Sequence, residues 1–195
     1  MEKTNDQRLN GTGLDSTGLT DAELSEDERA AVGRLRRDAE DRGVPIKFAR
    51  RGQAASLQEA AANIGVEPRE IVKTLVAKAK ATQTTREHSY VLVLIPGDRQ
   101  VDWATLRRLT GMKKMSMTAP EEALAATGYR PGTITPFAAE SAEGRRWPIY
   151  ADESITGRIA MGAGAPGLSL FVDSARLFEA YDVVTADISR PARQD

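Results

Sequence analysis

The stretch Tyr90-Val91-Leu92-Val93-Leu94-Ile95 carries apolar side chains on both of its faces when read as a strand. A strand with no polar side to give to water is central in its sheet. The other strongly apolar run, Ile71-Val72-Lys73-Thr74-Leu75-Val76-Ala77, holds a single lysine. Strand alternation sets Lys73, Leu75 and Ala77 on one face and Thr74 and Val76 on the other. Leu75 is core-like, so Lys73 is expected on the inward face. An ammonium there is costly unless it reaches a pocket, an anion, or water at the strand's open end.

Local signals order the rest of the chain. Residues 1–19 contain Asn10-Gly11-Thr12-Gly13 and Ser16-Thr17-Gly18 with hardly any apolar content, which predicts a disordered tail. Thr20-x-x-Glu23 and Ser25-x-x-Glu28 match the capping box and open a helix that ends near Arg42-Gly43. Val44 to Phe48 reads as a short strand. Ser56-x-x-Glu59 opens an Ala-rich helix through Ile64, and Pro68 starts a single turn. A helix from about Asp102 stops at Gly111. Lys113 to Met117 is a strand, and Thr118-Ala119-Pro120-Glu121 opens a helix capped by Gly128. Further strands are expected at 148–151, 158–161, 168–172 and 183–188, with Asp173 capping a short helix that reaches Tyr181. Seven or eight short strands with helices in no strict β-α-β order predict an α+β fold with a strongly curved, mixed sheet. The expected organisation is one domain over residues 20–190, flanked by the tail and by a polar C-terminal segment, 191–195.

Composition narrows the chemistry. The 195 residues include 27 Lys and Arg against 28 Asp and Glu, a formal net charge of -1, which argues against a protein that coats nucleic acid generally. A local patch that touches one nucleic-acid end stays open. The basic pairs Arg50-Arg51, Arg107-Arg108, Lys113-Lys114 and Arg145-Arg146 are the candidates, each equally readable as solvated surface. The chain has no cysteine and one histidine, His88, in the polar stretch 84–89, which reads as a loop. A thiolate nucleophile and a Cys-based metal site are therefore excluded, and a Ser-His-Asp triad or most zinc sites would have to use His88. No metal and no cofactor are expected. No apolar run approaches the roughly 20 residues that span a bilayer, and the N-terminus lacks the apolar core of a signal peptide. A cytoplasmic location without membrane contact is the expectation.

Two glycine loops and one lysine remain as chemical candidates. Gly162-Ala163-Gly164 follows a strand, but no long helix follows it, so it fails the context of a dinucleotide fingerprint. It also lacks the Lys-Ser or Lys-Thr of a P-loop. Tyr129-Arg130-Pro131-Gly132-Thr133-Ile134-Thr135-Pro136-Phe137 is a rigid loop, because two prolines bracket a glycine.

In order along the chain, the segments Ile71–Leu75, Ile95-Pro96-Gly97-Asp98, Val101-Asp102, Lys113-Lys114, Thr127-Gly128-Tyr129-x-x-Gly132-x-x-x-Pro136, Tyr150-Ala151-Asp152, Gly162-Ala163-Gly164 and Ala186-Asp187-Ile188 resemble the YbaK / prolyl-tRNA synthetase-associated editing domain family, the aminoacyl-tRNA deacylases. The resemblance runs from about Val44 to Ile188. It implies a barrel-like, curved mixed sheet with peripheral helices. It also implies hydrolysis of the ester that joins a wrong amino acid to the terminal adenosine of a tRNA. The family lysine falls on Lys73, its G-x-x-x-P loop on Gly132, Thr133, Ile134, Thr135 and Pro136, and its pocket aspartate on Asp152. Phe48 falls near a family aromatic, and Gly162, Ala163 and Gly164 stand as pocket wall or plain hairpin. The chain departs from the family where Ala138 replaces a frequent glycine, and in the charge of the 138–146 loop.

The chemistry agrees with the composition. An aminoacyl ester is already activated, so an enzyme needs only to position it with a nucleophile, usually water, and to stabilise the developing oxyanion. Backbone N–H groups of a rigid loop can do the second task, and Lys73 can hold the terminal phosphate or the ester oxygens. The expected function is a free-standing editing deacylase acting on mischarged tRNA. By resemblance the substrates are of the tRNA(Pro) type, the amino acid is alanine, serine or cysteine, and a synthetase is a further partner. The rivals are a non-catalytic aminoacyl-tRNA or synthetase-binding module on the same fold, and a Schiff-base enzyme built on a lysine of depressed pKa.

Overall fold

The computed structural model describes residue 19 and residues 21–192, apart from positions 83, 85 and 87. The tail expected over 1–19 and the capping box at Thr20 therefore lie outside the described residues, except for Leu19, whose N–H donates to the Phe48 carbonyl (3.4 Å). Residues 193–195 of the expected C-terminal tail also lie outside them.

Among the described residues, five helices form where local caps start them. In α1 (Glu26–Asp41) the Ser25 hydroxyl accepts the Glu28 N–H (3.2 Å) and the Glu28 carboxylate accepts the Ser25 N–H (2.8 Å), which satisfies two orphan donors reciprocally. Gly43 then leaves the helix at φ +66°. Ser56 caps α2 (Leu57–Asn63), Asp102 caps α3 (Trp103–Thr110) and Asp173 caps α5 (Ser174–Ala180), as their side chains suggest. The box expected at Thr118 and Glu121 moves by one residue in α4 (Pro120–Thr127). There Glu122 receives the Ala119 N–H (2.9 Å), because Thr118 is drawn away to donate to the Val76 carbonyl (3.0 Å). A single turn at Pro68–Glu70 precedes the lysine strand.

Among the described residues, ten strands form three sheets. They are β1 (Ile46–Arg50), β2 (Val72–Lys80), β3 (Ser89–Pro96), β4 (Arg99–Val101), β5 (Lys114–Met117), β6 (Ile149–Asp152), β7 (Arg158–Gly162), β8 (Leu168–Asp173), β9 (Val184–Ala186) and β10 (Ser189–Pro191). The largest sheet runs β5-β2-β3-β6-β9, with β2 antiparallel to β3 and β5, and with β6 parallel to β3 and β9. A three-stranded sheet runs β1-β8-β7, and β10 pairs with β4. The strand expected over 183–188 is thus shorter, ending at Ala186 as β9, and a further short strand, β10, follows it in a different sheet. Asp187 and Ile188 carry the chain across, with the Ile188 carbonyl accepting the Asp102 N–H (2.8 Å). The mixed α+β class stands. Among the described residues the ladders do not close into a barrel, since β5 and β9 end one sheet and β1 and β7 end another.

β3 is the middle strand of its sheet, as its two apolar faces require. Leu92 and Leu94 enter the main core with Leu35, Phe137 and Leu170, while Val93 and Ile95 enter a second core with Val101, Leu106 and Ile188. Full burial of each such leucine contributes roughly 1.5–3 kcal/mol. β2 is covered on both faces too, with Val72 and Val76 in the first core and Ala77 and Ala79 in the second. A third cluster packs α2 onto Ile71, Ala160 and Phe171.

Candidate active site

β2 has one edge fully paired with β3, from Val72 to Ala79. Its other edge is shared. β5 pairs with it only from Ala77 onward, and β7 pairs only with Ile71, the residue before β2, through a single parallel bridge from Ala160. Between those contacts no strand among the described residues pairs with β2. The Val76 carbonyl turns toward this edge, where it accepts from Thr118. Alternate residues point their peptide groups the same way, so the peptide groups of Thr74 face the open edge as well.

A cleft of about 450 Å³ occupies this gap. Lys73, Thr74 and Leu75 of β2, Gly132 and Ile134 of the proline-bracketed loop, and Met161 and Gly162 of β7 line it. Ser169 of β8, Leu57 and Ala60 of α2, and Arg51 complete much of the wall. Of the residues singled out from the sequence, Lys73, Gly132, Ile134 and Gly162 are therefore brought together.

The loop is held by its own hydrogen bonds. The Thr133 N–H and hydroxyl both donate to the Arg130 carbonyl (3.0 and 2.8 Å), the Gly164 N–H donates to the Thr133 carbonyl (2.9 Å), and the buried Tyr129 hydroxyl donates to the Phe137 carbonyl (2.8 Å). Thr133, Thr135 and Pro136 are buried behind the cleft wall, and the Thr135 hydroxyl lies 3.5 Å from the Met161 sulfur. Gly132 has φ +84° and a Cβ there would meet nothing within 4 Å, so its glycine serves a left-handed backbone rather than a close approach. The close approach is at Gly162, where a Cβ would stand 2.7 Å from the Thr133 carbonyl carbon and 2.8 Å from the Ile134 oxygen. Ala163 is wholly buried in the main core.

Lys73 is half-buried and its ammonium donates to the Arg99 carbonyl (2.7 Å). Burial lowers its pKa from the usual lysine value, opposed by the nearby Asp98 charge. The cation thus sits at the β3–β4 turn beside the cleft, on the face that Leu75 shares. Asp152 lies apart from the lining residues. It is 1% exposed, and its carboxylate accepts from the Ser154 N–H (3.1 Å) and hydroxyl, the Ile188 N–H (3.2 Å) and the Ser189 hydroxyl (2.6 Å). Burial pushes its pKa up, but these donors outweigh it and hold the group below the usual carboxylate range. Phe48 is likewise outside the cleft, buried in the main core opposite Leu170.

The basic pairs divide. Arg50 bonds Glu28 (3.0 Å), and Arg146 clamps Asp38 (2.7 Å), so both are engaged in structure. Arg51 reaches the cleft, and Lys114 lines a separate hollow with Lys78, Lys80 and His88. Asp38 also receives the Ala138 N–H (2.6 Å), the Arg42 Nε–H (3.3 Å) and the Tyr181 hydroxyl. Ala138 has φ +49°, a left-handed conformation that glycine adopts more easily, and it follows directly on the cleft loop. Thr74, Met161 and Ser169 were not legible as site residues. For Thr74 the only signal is adjacency to Lys73 and for Met161 adjacency to Gly162, while Ser169 carries none.

Comparison with known proteins bears on this site. Residues 51–180 match the family model described as "Aminoacyl-tRNA editing domain", a span that includes all the cleft residues named above. A protein of Enterococcus faecalis with the provisional name Cys-tRNA(Pro)/Cys-tRNA(Cys) deacylase is 29% identical over 139 residues, covering 69% of this chain and 79% of that one. A proline–tRNA ligase of Bacillus pumilus is 29% identical over 113 residues, which is 58% of this chain and 18% of the ligase. The chain spans about a fifth of the proline–tRNA ligases it matches. A crystal structure provisionally described as a trans-editing enzyme for prolyl-tRNA synthetase shares the fold, with a TM-score of 0.71 at 23% identity over 86% of this chain and 99% of that one.

Proposed function

The chain belongs to the aminoacyl-tRNA editing domain family, and we propose that it is a deacylase that hydrolyses the ester of mischarged tRNA. The observation that carries this reading is the convergence of Lys73, the Gly132–Ile134 segment and Gly162 on one cleft at an open strand edge. Water adds to the ester carbonyl and the bond to the ribose oxygen breaks. The products are a free amino acid and a tRNA with its terminal hydroxyl restored. The cleft has to orient the ester and stabilise the oxyanion. Peptide N–H groups that face the cleft, that of Thr74 among them, serve the oxyanion, and the Lys73 ammonium serves the ester oxygens or the terminal phosphate. Asp152 acts one step removed, by fixing the turn after β6 against β10. The reading calls on no cofactor.

The substrate is the 3′-terminal aminoacyl-adenosine of a tRNA(Pro)-type molecule carrying a small amino acid, with a synthetase as the partner that produces it. The relatives named as a Cys-tRNA deacylase and as proline–tRNA ligases support this choice. The test is a time course with tRNA(Pro) charged with alanine, serine, cysteine or proline. Loss of a small-residue ester above the buffer rate, with the prolyl ester spared, is the expected result. Tight retention of every ester without cleavage would instead mark a binding module.

A further inference from the structure

We infer that Thr74 selects the amino acid, by hydrogen-bonding a hydroxyl on the side chain of the aminoacyl group, so that the cleft prefers a seryl to an alanyl ester. This rests on the deacylase reading and deepens it. Thr74 lines the cleft from β2 and is 8% exposed. Its Oγ1 is buried and finds no hydrogen-bond partner among the described residues. By contrast, the buried Thr127 hydroxyl donates to the Ala123 carbonyl (2.7 Å) and the buried Ser189 hydroxyl to Asp152 (2.6 Å). A buried hydroxyl without a partner is costly, and a strand position facing the main core would be filled as well by valine. A ligand that supplies the missing bond accounts for its presence.

The charges around the cleft indicate which part of the substrate does so. Among the described residues its charged lining groups, Lys73 and Arg51, are both cations, and no described carboxylate lines it. The α-ammonium of the aminoacyl group is therefore better placed at the mouth, in water. The neutral Thr74 hydroxyl, in a cleft that the apolar Met161 and Ile134 also line, matches a neutral donor-acceptor such as another hydroxyl. Rejection of an analogue lacking that hydroxyl follows because Thr74 is then left unpaired.

The experiment compares single-turnover deacylation of seryl and alanyl esters of one tRNA by the wild type, Thr74→Val and Thr74→Ser. The wild type is expected to favour the seryl ester on the order of tenfold. Thr74→Val should collapse the ratio toward one, chiefly by slowing the seryl reaction, with an unchanged or raised melting temperature, and Thr74→Ser should keep the preference. A ratio that Thr74→Val leaves intact overturns the inference, as does a cysteinyl ester preferred to both in the wild type and in Thr74→Val alike. Cleavage of neither ester by the wild type overturns the deacylase reading, and this inference with it.

Discussion

Asp38→Asn is expected to lower stability at neutral pH and to lose that effect in acid. Asp38 is 9% exposed and accepts from the Ala138 N–H, from Arg146 twice (2.7 and 3.3 Å), from Arg42 and from the Tyr181 hydroxyl. Burial alone would push its pKa up. The donors, led by Arg146 and Tyr181, outweigh burial and hold the group at about 2 against an ordinary 3.8. That gap corresponds to about 2–3 kcal/mol of stability. A depressed pKa contributes fully above the unfolded-state value and is lost as pH falls through the folded-state value. The window is therefore between pH about 4 and about 2.

Asparagine keeps the shape and one acceptor but not the charge, and it presents an amide donor to Arg146. For a domain of this size each kcal/mol shifts the melting temperature by about 2–4 °C, so the variant should melt roughly 4–12 °C lower at pH 7. The assay is thermal unfolding of both proteins in parallel from pH 7 down to pH 2. The remaining carboxylates titrate in both and cancel in the difference. A gap that is absent at pH 7, or that stays constant to pH 2, would refute the reasoning. Because the Asp38 carboxylate holds Ala138 at its left-handed φ, directly after the cleft loop, deacylation per folded molecule should fall as well.

Lys73→Ala should abolish deacylation while leaving the protein folded. It removes one hydrogen bond to the Arg99 carbonyl, worth about 1.5–3 kcal/mol at most for a charged donor, and near-normal turnover by the folded variant would contradict the role of the ammonium. Gly162→Ala should slow single-turnover cleavage by up to about a hundredfold, because its methyl would force the Thr133-Ile134 backbone off β7 by a sizeable fraction of an ångström. The overpacking itself should cost about 1–3 kcal/mol. Gly132→Ala meets open space and should cost only the left-handed backbone penalty of about 1–2 kcal/mol, so equal rate losses in the two glycine variants would sink the distinction between them.

What the sequence disclosed was mostly local. Ser25, Asp102 and Asp173 cap helices because a short polar side chain can reach an N–H two or three residues on, which spacing alone reveals. Gly43, Gly111 and Gly128 end helices at positive φ for an equally local reason. The rank of β3 as the central strand was legible because both its faces are apolar. Pairings between distant segments were not legible. β10 finds β4 about ninety residues away, and Asp38, one acid in a charged helix, finds Ala138 and Arg146 across a hundred residues or more.

The site itself shows why alternation could not locate it. Leu75 marked one face of β2 as inward and so made Lys73 the residue of interest, but β2 is buried on both faces, and a strand of that kind has no outward side for a pattern to betray. The cleft opens at the edge of the strand, where the pairing with β5 has ended at Ala77 and β7 pairs only with Ile71. An edge left unpaired is a property of the partners' lengths, and no residue of β2 records it. Both faces reach such a gap, and it therefore takes Lys73 from one face and Thr74 from the other. The lysine is visible because a charge among apolar residues stands out. The threonine is invisible because β-branched residues are what strands contain, and only its unpartnered hydroxyl, seen once the chain is folded, separates it from a valine.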